Sequence, residues 1–343
     1  MIVETKIFLS KNSTFSDSPL FTRMSADPDI FILRSLFAQG NSFISGSQLA
    51  SQLGLSRSAV WRRIEQLQQL GYAIEARPHV GYRLTEAPDI IVADELRARL
   101  PGNRFAERLV VFRETRSTND IVLREALHHV PEGFTALAES QTNGRGRMGR
   151  PWESAGKKGL WLSILLRPQG ATASPQGVII MSSVAVARTL EKFAPRAPAI
   201  KWPNDLVLDR RKLCGILVEA RFETNHMHHA IVGIGLNVNH QREDFPESLQ
   251  LIATSLALEA GQSFRRADVL LELFQQMDRA TQEDWTSLLQ EWKDRCETFG
   301  RSISVSTPTG VLEGTMTGVD PFGHLQLRLP SGRIETLASG TIL

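Results

Sequence analysis

Two cysteines in 343 residues, Cys214 and Cys296, are too few and too far apart to form a disulfide framework, and they fit a reducing compartment. Long apolar runs are missing too, since nothing approaches the ~20 apolar residues that a membrane-spanning helix needs. Near the start only Ile7, Phe8 and Leu9 follow Lys6, too short a run for the core of a secretion signal. Charge of one sign is also lacking. The 39 Lys and Arg against 37 Asp and Glu leave a net of +2, so any anion-binding site must be local. These absences predict a soluble, cytoplasmic protein. The rest is ordinary globular composition, 42% hydrophobic and 22% charged. The length predicts two or three domains.

Residues 1–28 are rich in Ser, Thr and Asp without a sustained period and read as a disordered tail, within which Met24 is an alternative start. From Asp29 the pattern becomes helical. Phe31, Leu33, Leu36 and Phe37 predict a first helix, Ser47 to Leu53 a second, and Ser56 caps a third in which Val60, Ile64 and Leu67 fall at helical spacing. Two short strands follow, around Tyr72–Arg77 and Gly81–Leu84. Helix-turn-helix followed by a β wing is the winged-helix arrangement, here over 29–87. Residues 88–296 mix strand-like runs with helices, Ser117 and Ser174 opening two of them, which predicts a mixed α+β sheet domain. Beyond Phe299 the glycines and prolines multiply between short apolar segments, so 297–343 read as a small all-β barrel.

Gly144-Arg145-Gly146-Arg147-Met148-Gly149 matches the G-x-G-x-x-G pattern of dinucleotide-binding folds. The context disagrees: that fingerprint opens a helix, whereas Arg150-Pro151-Trp152 leads into the apolar strand Gly159–Leu166. A basic loop that touches RNA is a second reading. A third is a loop for activating a carboxylate with ATP. Both reactants are anions, so arginines that never titrate would cancel their repulsion, and glycines would let the loop close over a water-sensitive acyl-adenylate. Lys201-Trp202-Pro203-Asn204-Asp205, between two apolar strands, supports the third reading, although a plain hairpin turn would use the same residues.

Taken in order, Ser117-Thr118-Asn119, Gln141 ahead of the Gly-Arg loop, Lys-Trp-Pro-Asn-Asp, Arg211-Lys212-x-x-Gly-Ile-Leu and Gly233-x-Gly-x-Asn237 resemble the motif series of biotin–protein ligases. With the helix-turn-helix head, the chain is similar to the bifunctional ligases that also act as the biotin operon repressor, over roughly residues 29–343. The resemblance implies a multidomain α+β fold class: winged head, central mixed α/β sheet, and SH3-like C-terminal barrel. It implies that biotin and ATP form biotinyl-5′-AMP, with Mg²⁺ accompanying the nucleotide, before biotin passes to a lysine of a biotin carboxyl carrier protein of acetyl-CoA carboxylase or a related carboxylase. Ser117, Thr118, Asn119, Gln141, Arg145, Gly146, Arg147, Trp152 and Lys201 would contact biotin. Lys201, Arg145 and Arg147 would serve catalysis, and Lys212 and Asn237 would lie near ATP. Metal ligands are not indicated, Asp205 being no more than a guess. His226, His228 and His229 read as a hairpin turn, and Cys214 as core.

In the head, Ser56, Arg57, Ser58, Trp61 and Arg62 occupy the open face of the expected recognition helix, with Arg77, His79 and Arg83 on the wing. Six Arg, no Lys and four acids over 29–87 give a modest charge, so one half-site of operator DNA would be held weakly and a dimer would help. That a homodimer forms on the ligand is what the resemblance implies. Two other classes stay open: a biotin-sensing transcription factor without catalysis, and a ligase whose head does not bind DNA.

Overall fold

The structure, a computed structural model, describes residues 26–224 and 226–342. The tail expected over 1–28 therefore lies almost wholly outside the described residues. Helix α1 (Ala26–Gln39) already begins inside it, with Pro28 in the first turn, where a missing N–H costs nothing.

The head packs α1, α2 (Gly46–Leu53) and α3 (Arg57–Gln69) around Ile32, Leu33, Leu36, Leu49, Val60, Ile64 and Leu67. Their spacing places one apolar stripe per helix inward. Ser45 and Ser56 cap α2 and α3, each accepting a backbone N–H, and each such cap contributes about 1 kcal/mol. The wing is an antiparallel hairpin of β1 (Ala73–Arg77) and β2 (Gly81–Glu86), extended by a bridge between Ile44 and Tyr82.

The second region contains α4 (Ala93–Arg99), α5 (Arg104–Glu107), β3 (Leu109–Thr115), α6 (Thr118–Leu127), β4 (Thr135–Gln141), β5 (Gly159–Leu166), α7 (Pro175–Glu191), β6 (Ala199–Lys201), β7 (Asp205–Leu208), β8 (Arg211–Glu223), β9 (His226–Asn237), α8 (Leu256–Ala260), α9 (Arg266–Ala280) and α10 (Trp285–Arg295). Seven strands form one sheet in the order β3-β4-β5-β9-β8-β7-β6, in which only β3 and β4 run parallel, joined through α6. Alternation sorts the strand residues onto two faces. Val111, Leu137, Leu162, Ile164, Val232 and Ile234 meet α7 and α9 in the main core. Phe112, Ala136, Ala138, Leu165 and Ile231 meet α6 on the other side. Beyond α6 that second face continues as Gly233 and Gly235 on β9 beside Leu217 and Gly215 on β8. Small residues leave the sheet uncovered there, and the cleft forms over them.

The C-terminal strands β10 (Ser302–Thr307), β11 (Gly310–Val319), β12 (Leu325–Arg328), β13 (Ile334–Leu337) and β14 (Thr341–Ile342) form an antiparallel sheet ordered β13-β12-β11-β10-β14. Its edge strands β13 and β14 are not paired with each other among the described residues, so the SH3-like closure expected from the sequence is not seen as strand pairing. Val305, Met316, Leu325 and Leu327 join the main core of the sheet domain rather than forming a separate one. No helix among the described residues is long and apolar enough to cross a membrane.

Candidate active site

The cleft over the glycine row has a volume of about 660 Å³. Its lining comes from the start of α6, the loop after β4, the β6–β7 turn, the centres of β8 and β9, the segment 240–253 after β9, and Thr341–Ile342.

At its polar end Ser117 occupies the N-cap position of α6, as the sequence suggests, but its side chain makes no capping bond. Ser117 is buried and lines the cleft. The first α6 amide, Thr118 N–H, is satisfied by Gln141 Oε1 at 2.8 Å, which couples the helix start to the end of β4. Gln141 Nε2 donates to Ser154 Oγ at 3.0 Å. Thr118 Oγ1 lies 2.6 Å from Ser163 Oγ, Ser163 Oγ lies 2.5 Å from Asn119 Oδ1, and Asn119 Nδ2 donates to Glu219 Oε2 at 2.5 Å.

The Gly-Arg loop is a compact hairpin closed by Gly146 N–H to Arg150 O (2.7 Å) and Trp152 N–H to Gly144 O (2.9 Å). Its two inner arginines differ in their surroundings. Arg145 bridges Asp120 at 2.7 Å and Glu219 at 3.0 Å. Burial works against its charge, but the hydrogen bonds it donates to Glu219 and Asp120 outweigh that and hold its pKa above the ordinary value. Arg147 turns into the cleft with only neutral partners, Asn204 Oδ1 at 3.4 Å and Gly340 O at 3.2 Å. Burial lowers its pKa, and Asp205 nearby opposes the shift. Met148, expected to carry no chemistry, is 79% exposed.

Trp152 walls the cleft by lying flat against the glycine row, where a Cβ on Gly235 would overlap its indole. Lys212 Nζ sits 5.1 Å above the Trp152 ring and 2.7 Å from Asp205 Oδ1, so stacking and an ion pair hold it. Lys201 ends β6 opposite Asp205, across a turn whose Trp202–Pro203 peptide is cis. It lines the same cleft, and among the described residues its ammonium has no ion-pair or hydrogen-bond partner. Asn237 also lines the cleft, but its Nδ2 donates to Thr254 O at 3.0 Å and so anchors the segment before α8. His240 stacks on Phe245 with centroids 4.9 Å apart, and burial drops its pKa to about 4.

Every residue expected at the ligand thus lines one cleft. Asp120, Ser163, Glu219 and the C-terminal Gly340 and Thr341 were not anticipated. Glu219 left a trace in the sequence, since Gly215, Leu217 and Glu219 alternate onto one face of β8; the C-terminal contribution left none. The histidine expectation needs correction: the β8–β9 turn falls before His226, and His226, His228 and His229 belong to β9, with His228 Nδ1 2.8 Å from His229 Nδ1. Among the described residues no group of three His, Cys, Asp or Glu is arranged to hold a metal. Cys214 is fully buried core, as expected.

On the head, Arg57, Ser58, Trp61 and Arg62 are exposed along one side of α3. Ser56 is engaged as the cap, accepting from Ala59 N–H at 3.1 Å. On the wing, Arg77 and Arg83 both pair with Glu75 and stack on Phe43, so the wing offers less free charge than a residue count suggests.

Lys201, with no ion-pair or hydrogen-bond partner among the described residues, and Arg147, bonded there to two neutral oxygens, stand in one cleft with hydroxyl and amide groups and an aromatic wall, an arrangement that suits a carboxylate and a nucleotide. Residues 111–237 match the biotin/lipoate A/B protein ligase family, 30–83 an HTH domain and 298–343 the biotin protein ligase C-terminal domain. The bifunctional ligase/repressor BirA of Bacillus subtilis is 35% identical, covering 88% of this chain and 94% of its own. That of Escherichia coli K12 is 31% identical, covering 90% and 95%. A solved biotin protein ligase from Aquifex aeolicus, in complex with biotin and ATP, superposes with a TM-score of 0.60 at 26% identity, over 69% of this chain and 98% of that one. The chain belongs to the biotin protein ligase family, in the form that carries a helix-turn-helix DNA-binding head.

Proposed function

We propose that this ligase joins the biotin carboxylate to the α-phosphorus of ATP, releasing pyrophosphate, and then passes biotin from the biotinyl-5′-AMP to a lysine amine of a biotin carboxyl carrier protein, releasing AMP. One observation carries the reading: Lys201 and Arg147 are two cations in one cleft, neither with a carboxylate partner. An anionic ligand would complete both. Lys201 would bridge the carboxylate and the α-phosphate oxygens as charge builds between them. Arg147 would hold the adenylate against the loop, and Arg145 and Gly146 would shape the loop around it. Ser117, Thr118, Asn119 and Gln141 supply hydroxyl and amide groups that suit a neutral ureido ring, and Trp152 suits its apolar tail. Lys212 and Asn237 would flank the nucleotide. Mg²⁺ would enter with the triphosphate, and Asp205 is one of the carboxylates lining the cleft that could meet it. Biotin-dependent exchange of labelled pyrophosphate into ATP tests the first half-reaction, and its absence would remove the reading.

The domains would run 29–87 for DNA binding, 88–296 for catalysis and 297–343 for the C-terminal cap, in a protein working in the cytoplasm. Repression by the head is supported by the exposed Arg57, Trp61 and Arg62. Arg62→Ala should weaken DNA binding and flatten its salt dependence; an unchanged affinity would leave a ligase with a silent head. A homodimer formed on the adenylate would double a weak half-site contact. Sedimentation with and without biotin and ATP should show it, and an unchanged monomer would exclude it.

A further inference from the structure

Glu219 lies outside the motifs that mark the ligand cleft, yet the polar groups of the cleft are strung toward it. A carboxylate only accepts hydrogen bonds, so the Asn119 group 2.5 Å from Glu219 Oε2 must be the NH₂. That fixes the Asn119 amide, and Oδ1 faces Ser163. Ser163 must then donate its single proton to Asn119. The 2.6 Å contact between Thr118 and Ser163 can be a hydrogen bond only if Thr118 donates. Thr118 Oγ1 is left with lone pairs alone for the cleft. Gln141 Oε1 accepts Thr118 N–H at 2.8 Å and also lies 3.1 Å from Thr118 Oγ1, a longer second acceptor for the same hydroxyl proton; whichever oxygen takes that proton, Thr118 Oγ1 offers the cleft only lone pairs. The amide is also closely packed: a Cβ on Gly233 would stand 2.5 Å from Asn119 Oδ1, so Asn119 fits only because β9 has glycine there. The same carboxylate also takes Arg145 at 3.0 Å, tying the Gly-Arg loop to the end of the chain.

We infer that Glu219 is a positioning residue for the ureido end of the cleft: its charge polarises Thr118, Ser163 and Asn119 into one direction, so that Thr118 accepts a hydrogen bond from a ligand N–H. The inference rests on the biotin reading of the cleft. It makes specificity depend on a residue that does not touch the ligand. Glu219→Gln keeps the shape but can turn an NH₂ toward Asn119, which lets that amide and the hydroxyls behind it reverse.

The test compares wild type, Glu219→Gln and Glu219→Asp in adenylate formation, with biotin and with an analogue methylated on one ureido nitrogen. For Glu219→Gln the expected result is a KM for biotin raised about 10-fold, the cost of a partly buried charge-assisted hydrogen bond, with KM for ATP and kcat changed less than about 3-fold. The preference for biotin over the methylated analogue should fall by a similar factor, and Glu219→Asp should recover part of it. That preference is a ratio of kcat/KM values and does not depend on how much of a variant is folded. A Glu219→Gln enzyme with unchanged preference, or one whose loss falls on ATP, overturns the inference while leaving the ligase reading in place. A wild type that forms no adenylate overturns both.

Discussion

The Tyr72 hydroxyl donates a 2.6 Å hydrogen bond to Glu95 Oε2, joining the head to the ligase domain through two fully buried side chains. Glu95 also accepts from Arg99 at 2.9 Å and Arg265 at 2.8 Å, and both guanidiniums lie over the ring of Phe37 from α1. Burial first, and the charge of Glu95 second, push the Tyr72 pKa far upward, so the phenol stays a donor at any working pH. Tyr72→Phe should lower unfolding stability by about 1.5–3 kcal/mol, the range for a hydrogen bond to a charged group. Denaturant unfolding followed in the head measures it. A change below about 0.5 kcal/mol, typical of surface positions, would mean that the two arginines alone hold Glu95.

Arg147 has no carboxylate partner and reaches Gly340 O across the cleft, so it serves as a latch for an anionic product. Arg147→Gly should still form adenylate but release it, so that lysines of a bystander protein become biotinylated. Blotting such a protein after incubation gives the readout. A variant that retains adenylate as tightly as wild type would refute the role.

Lys201 presents its charge where the carboxylate and the α-phosphate would meet. Lys201→Ala should abolish adenylation, by a factor of about 100 or more for a lost electrostatic contact in the transition state, while melting like wild type. Full pyrophosphate exchange in this variant would take Lys201 out of the mechanism.

His240 gives the stability a pH dependence. Its folded pKa is about 4 against 6.5 when exposed. Between those values the unfolded chain takes up a proton that the folded chain refuses. Stability should therefore be flat above about pH 7 and fall by roughly 3 kcal/mol as pH drops from 6.5 to 4. Asp244 and Asp320, whose pKa values are lowered, add further losses below that window. His240→Phe, which can keep the stack on Phe245, should reduce the slope between pH 6.5 and 4, leaving the part that belongs to His229, whose pKa burial also lowers. An undiminished slope would assign it to other groups.

The longer helices and most strands of the sheet were legible because they carry a sustained period, and some helices a cap as well, as with Ser56 and Ala59 or Ser174 and Gly177; the short α5 and α8 were not. The ligand-side residues were legible mainly through the motif series rather than through local patterning, since Lys201-Trp202-Pro203-Asn204-Asp205 alone serves a turn equally well. What stayed hidden depends on distance along the chain. Nothing near Glu219 in sequence shows that it meets Asn119 and Arg145, 100 and 74 residues away. Gly340 likewise reaches Arg147 only because the C-terminal strands share the main core. Charge counting misled on the wing, where Glu75 claims both Arg77 and Arg83.

The central claim is that one cleft activates biotin and hands it on. Incubating the protein with biotin and α-labelled ATP, with and without a biotin carboxyl carrier domain, tests it most directly. Labelled biotinyl-adenylate is expected without the carrier, and with it free AMP and biotin on a single carrier lysine. Biotin binding without any adenylate, or adenylate that is never transferred, would contradict it.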